Sequence, residues 1–146
     1  MAIRSTLLDT GPVVGLLSAR DEHHAATVAA IKGSAGQGRS LCTTWEVVGE
    51  AYTLIRVRIA PAGTAEPALV VLRWVRESEI TILLAGAMDH DRAANILERY
   101  SDQRLSYVDT LVLALAERHR LEELITVDGR HFSAVRLASP LAVTVV

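Results

Sequence analysis

The sequence predicts an α/β fold, one domain over residues 1–146 with a central, mainly parallel sheet flanked by helices. Three observations predict it. Short apolar, strand-like runs alternate with helical stretches along the chain, the pattern of crossover connections that leave neighbouring strands parallel. The 146 residues match the length of one domain able to bury a full core. No repeat, linker or low-complexity tract divides them.

Residues 3–8, "IRSTLL", read as a first strand, and "GPVVGLLSA" after Asp9 as a helix with Pro12 in its tolerated first turn. "DEHHAATVAAIKGS" is an alanine-rich helix that runs into glycine-rich "GSAGQG", a loop signal. A second strand covers 39–43, "RSLCT". From Thr44 to Arg58 apolar residues recur at helical spacing, with Thr43 and Glu46 as the start signal. "TAEPALVVLRWVRES" continues as a helix and "EITILL", 79–84, as a strand. Then "AMDHDRAANILERY" and "YVDTLVLALAERHR" are amphipathic helices, and "ELITV" and "LAVTVV" are the closing strands.

Composition narrows the function classes. A net charge of -2 and a pI near 6.2 provide no global basic field, so any nucleic-acid contact must be local. Half the residues are hydrophobic and the mean hydropathy is +0.27, which for so short a chain predicts a subunit or partner interface. The lone Cys42 cannot form an internal disulfide. The first residues lack signal-peptide features and no apolar run reaches the ~18 residues of a membrane span, so the expectation is a soluble, cytoplasmic protein.

In an open parallel sheet, ligands bind beyond the carboxyl ends of the strands. Asp9 and Asp128 each follow a strand, although "DTGP" and "DG" are also good turn sequences and Asp a common helix cap. Asp109 follows Ser106 by three residues, which gives it a capping-box reading beside the functional one. Glu50, a full turn deeper in its helix than Glu46, flanks the apolar face, where an unpaired carboxylate is costly unless compensated. Two carboxylates ~5 Å apart repel by roughly 3 kcal/mol at an effective dielectric near 20, so convergence of all four acids would demand a cation. Magnesium and manganese favour such oxygen donors. His23 and His24 point about 100° apart on a helix and read as surface residues rather than a chelate.

In their order, "LLDTGPVVGLL", Glu50 of "WEVVGEAYTLI" and "LSYVDTLVLALAERHRLEELITVDGRHF" resemble the PIN-domain family, especially the VapC-type toxins of bacterial toxin–antitoxin pairs. The resemblance covers nearly the whole chain. It implies a metal-dependent endoribonuclease using Mg2+ or Mn2+, with an RNA substrate, a cognate antitoxin and a homodimeric assembly. The family's acidic positions fall on Asp9, Glu50, Asp109 and Asp128, as catalytic and metal-holding residues, with Thr10 at the hydroxyl position after the first acid. Gly11 replaces a small polar residue or alanine there, which is not expected to disturb metal binding.

Hydrolysis of an RNA phosphodiester needs an attacking water, neutralisation of the phosphate and stabilisation of the leaving oxygen, all within reach of carboxylate-held metal. Thr10 or Ser106 would orient a water or phosphate oxygen. Arg104, Arg130 and His131, close in sequence to the acids, are candidates for drawing in the RNA backbone, with solvated surface charge as the alternative.

Three other readings compete. Asp9-Thr10-Gly11 is also the triplet of aspartic proteases, which belong to an almost all-strand fold. A phosphatase of the haloacid dehalogenase type needs a second Asp at position 11, where this chain has glycine. A catalytically silent PIN-like module, acting through RNA or protein contacts, would not need four acids.

Overall fold

The computed structural model of the chain describes residues 4–58 and 66–146. Five strands form a single, wholly parallel sheet: β1 (Ser5–Leu8), β2 (Ser40–Thr44), β3 (Thr81–Leu83), β4 (Glu123–Thr126) and β5 (Ala142–Val145), in the order β3-β2-β1-β4-β5. Seven helices flank it: α1 (Thr10–Leu17), α2 (His24–Gly36), α3 (Trp45–Arg58), α4 (Leu69–Glu77), α5 (Ala87–Arg99), α6 (Tyr107–His119) and α7 (Gly129–Ser133). The α/β expectation holds, and "mainly parallel" becomes all parallel. Ile3 of the predicted first strand and Thr64 and Ala65 of the predicted fourth helix lie outside the described residues.

Burial explains the strand sequences. The central strands β1 and β4 are buried at every position, as expected for a parallel sheet covered on both faces, whereas β3 and β5 at the edges are not. Leu7, Leu8, Leu124 and Ile125 form the middle of the core with Val13 of α1, Val47 of α3 and Val112 of α6. Helix α6 is buried without a break from Thr110 to Ala116, so it is a core helix rather than the amphipathic one its periodicity suggested. Its exposed end is tied to α5 by ion pairs from Arg118 to Asp89 (2.7 Å) and from Arg92 to Glu117 (2.9 Å).

Four local readings change. Helix α2 extends through "GSAG", because the chain turns only at Gly38, whose φ of +75° suits glycine, where the Arg39 N–H returns to the Ser34 carbonyl at 3.2 Å. His23 and His24 are half-buried rather than surface residues, and His24 Nδ1 lies 2.7 Å from the Gly15 carbonyl, joining α2 to α1. The cap of α3 is Thr44, whose hydroxyl accepts the Val47 N–H at 3.1 Å; Thr43 instead donates to the Leu8 carbonyl at 2.9 Å. A short helix after Asp128 was not foreseen.

The strand order makes β1 the topological switch point. From β1 the chain builds outward through β2 and β3, then crosses to β4 on the other side, so the connections diverge beyond the carboxyl ends of β1 and β4. Asp9 is the first residue past β1, at that divergence.

Candidate active site at the carboxyl edge of the sheet

Asp9 occupies the N-cap position of α1, yet its side chain makes no capping hydrogen bond there. It is only 8% exposed, and Oδ2 accepts the Thr126 hydroxyl at 2.9 Å. Burial raises its pKa from 3.8 to about 6; the negative charges of Asp109 and Glu50 push the same way, against the lowering effect of the Thr10 amide and the Thr126 hydroxyl. Three acids from β1, α3 and α6 therefore share one electrostatic neighbourhood.

Each neighbour is held. Glu50 Oε2 accepts the Thr10 hydroxyl at 2.7 Å, tying α3 to the start of α1. Asp109 and Ser106 form the reciprocal capping box of α6: Ser106 N–H donates to Asp109 Oδ2 (2.8 Å) and Asp109 N–H to Ser106 Oγ (3.0 Å). That box leaves Asp109 Oδ1 outside it. The capping and site readings of Asp109 are thus compatible.

Asp128 has different company. It caps α7 by accepting the Arg130 N–H at 3.2 Å, and that bond, followed by the Arg130 and His131 charges, lowers its pKa. Arg130 Nε and His131 Nε2 each lie 3.5 Å from its carboxylate, and the Arg130 side chain is otherwise almost fully exposed. Asp128 is linked to Asp9 through Thr126: its backbone N–H donates to the Thr126 hydroxyl at 3.3 Å. Arg104 is exposed in the loop leading into α6.

Thr126 is the residue that sequence reasoning missed. Its buried hydroxyl donates to Asp9 and accepts from Asp128, so it couples the ends of β1 and β4. The available signal was a hydroxyl closing the strand "ELIT", next to the switch point. Glu46, once read as part of a cap, is no cap, and its Oε2 is buried without a hydrogen-bond partner among the described residues.

Among the described residues no three His, Cys, Asp or Glu side chains stand close enough to enclose an ion as they are placed. The donor chemistry nevertheless suits a hard divalent cation: oxygen donors only, and one carboxyl buried with negative neighbours.

Two alternatives close on structural grounds. The all-parallel α/β sheet is not the all-strand fold of an aspartic protease. A side chain at position 11 would begin with a Cβ only 2.5 Å from Val127 Cγ2, so the second acid of a haloacid dehalogenase-type phosphatase has no room.

The PIN domain family model matches residues 6–137, nearly the whole described fold. The chain belongs to the PIN-domain family. This PIN domain is 32% identical over 130 residues to ribonuclease VapC26 of Mycobacterium tuberculosis, covering 89% of this chain and 91% of that protein, and is a homologue of VapC-type toxin ribonucleases. Among solved structures it resembles M. tuberculosis VapC20, a sarcin–ricin loop cleaving toxin, with a TM-score of 0.76 at 21% identity over 89% of this chain and 95% of that one. It also resembles a chain of a toxin–antitoxin complex from Klebsiella pneumoniae, with a TM-score of 0.62 at 20% identity over 90% and 92% of the two chains. No helix among the described residues is long and apolar enough to cross a membrane.

Proposed function

We propose that this PIN domain is a divalent-metal-dependent endoribonuclease and the toxin of a bacterial toxin–antitoxin pair. The observation that carries the metal dependence is the buried Asp9 carboxyl at the switch point, with Glu50 and Asp109 adding negative charge around it. Asp9, Glu50 and Asp109 would hold Mg2+ or Mn2+, with Asp128 at the outer edge of the acidic set. The bound cation supplies charge neutralisation at the phosphate and an activated water.

The chain's own residues prepare the site. Thr126 orients the Asp9 carboxylate, Thr10 holds Glu50 toward β1, and Ser106 sets the Asp109 rotamer. No serine or cysteine nucleophile is required, and the lone Cys42 is buried with its thiol pKa pushed up to about 12 by that burial. Arg104, Arg130 and His131 are the basic groups available to approach the RNA backbone; Arg130 and His131 already lean on Asp128.

The test is incubation of the purified protein with total RNA and magnesium, with and without chelator, and mapping of the cut ends. Chelator-sensitive cleavage at discrete sites, abolished in Asp9→Asn, is expected. Cleavage that survives either treatment would overturn the metal site. The VapC-type relationship and exposed apolar side chains such as Val57 and Met88 support a homodimer and a cognate antitoxin as partners. Light scattering that finds only monomer at micromolar concentration would remove the dimer.

A further inference from the structure

Aromatic side chains are scarce in this chain: two Trp, three Tyr and one Phe. Among the described residues two of them are substantially exposed, Trp45 at 50% and Tyr107 at 44%. Both stand at the carboxyl edge of the sheet, Trp45 directly after β2 and Tyr107 at the first position of α6. Tyr107 is not a loose surface residue. Its hydroxyl is hydrogen-bonded to His90 Nδ1 of α5, and the two rings lie edge to edge and nearly coplanar, with the planes 11° apart and the centroids separated by 5.8 Å.

The pair fixes an aromatic plane beside the acids. Tyr107 and Asp109 share the first turn of α6; Tyr107 faces α5, while the charge of Asp109 is felt by Asp9. The first turn of α6 thus carries both an acid of the site and an aromatic ring that is anchored through its hydroxyl and still 44% exposed. An acidic site repels the phosphates of an approaching strand. A base-stacking contact carries no such penalty, and every nucleobase offers a π-face to it.

We infer that the His90–Tyr107 pair is a stacking platform for an unpaired nucleobase of the RNA, next to the phosphate held at Asp9 and Asp109. This rests on the ribonuclease reading above. His90 acts as a positioning residue that holds the Tyr107 ring, and Tyr107 is the residue that touches the base. The platform selects unpaired RNA at the cut site, because a base held within a duplex has its faces already occupied.

The test uses single-stranded RNA oligonucleotides cut by the full-length protein in magnesium, with each base near the cut replaced in turn by an abasic nucleotide. In the wild type one abasic position is expected to raise KM about 5- to 150-fold, the range of a lost base–aromatic stack. Tyr107→Leu should raise KM by a similar factor on intact RNA with little change in kcat, and should erase the penalty of the abasic position. Tyr107→Phe and Tyr107→Trp, which keep a ring but lose the hydroxyl bond to His90, should recover most of the KM, since a ring is what the base needs, with the remaining deficit measuring the positioning by His90. Absence of any sensitive abasic position in the wild type, a result that does not depend on folding of a variant, overturns the platform. So does a Tyr107→Leu protein with wild-type KM and wild-type cut sites. Failure of the wild type to cleave any RNA overturns the ribonuclease reading itself, and the platform with it.

Discussion

The Thr10 hydroxyl donates to Glu50 Oε2 at 2.7 Å, joining residues forty positions apart in the chain. The bond distinguishes the two glutamates of α3: Glu50 is drawn toward the end of β1, and Glu46, one turn earlier, is not part of it. Glu50→Gln keeps an oxygen to accept the hydroxyl and removes only the charge, so RNA cleavage should be lost with stability changed by less than about 1 kcal/mol. Thr10→Val does the reverse: it keeps the charge, costs roughly 1–2 kcal/mol of stability at a buried position, and lowers the rate without abolishing it. Chemical denaturation and single-substrate cleavage assays check both. Inactivation by Glu46→Gln with Glu50→Gln still active would reverse the assignment.

The raised pKa of Asp9 makes the metal-free protein more stable in mild acid. A carboxyl whose folded pKa lies above its unfolded one binds its proton more tightly when folded. No cost exists below pH 3.8; it grows as pH rises toward about 6 and is complete above that. At 1.36 kcal/mol per unit the full cost is about 3 kcal/mol. Asp9→Asn should therefore be more stable than wild type at pH 7.5 by up to that amount, with the difference vanishing toward pH 4. Urea titrations at both pH values in chelator measure it, and a pH-independent difference would contradict the charge argument.

A divalent cation should remove that cost. Magnesium at about a hundred times its dissociation constant is expected to stabilise the fold by ~2.7 kcal/mol, a rise of roughly 5–12 °C in Tm for a domain of this size. The effect should shrink as the carboxylates protonate and weaken in Asp9→Asn and Asp109→Asn. A Tm indifferent to millimolar magnesium and manganese at pH 7.5, in protein shown to be metal-free, would sink the clustered-carboxylate site.

Gly11 is set by packing. A Cβ there would meet Val127 Cγ2 at 2.5 Å and Cγ1 at 2.6 Å, and a β-branched valine cannot swing away easily. Gly11→Ala should cost roughly 1–3 kcal/mol and lower activity, because Val127 lies between Thr126 and Asp128. Val127→Ala should recover much of the loss in the double variant. Strictly additive costs across that mutant cycle would show that the two side chains do not compete for the same space.

The sequence alone determined the α/β class, nearly every strand and helix, the four candidate acids and the Ser106–Asp109 capping box. The elements and the box rest on interactions within a few residues, helical periodicity, apolar strand runs and caps, and the acids on their strand-end positions and the ordered family resemblance. Only the tertiary structure decided which acids share an electrostatic neighbourhood. Thr126 reaches Asp9 across 117 residues because β1 and β4 pair in parallel with Leu8 opposite Ile125, a register no local pattern encodes. Packing of α3 against α1 and of α6 against the core brings the charges of Glu50 and Asp109 to bear on Asp9, while Asp128 pairs with Arg130 and His131. Local errors had the same origin. The glycines of "GSAG" read as a break, yet the helix continues through them: a glycine costs a helix only about 1 kcal/mol relative to alanine, and Ser34 between them is buried against the hydroxyl of Thr6 from β1, a tertiary contact that no local pattern shows.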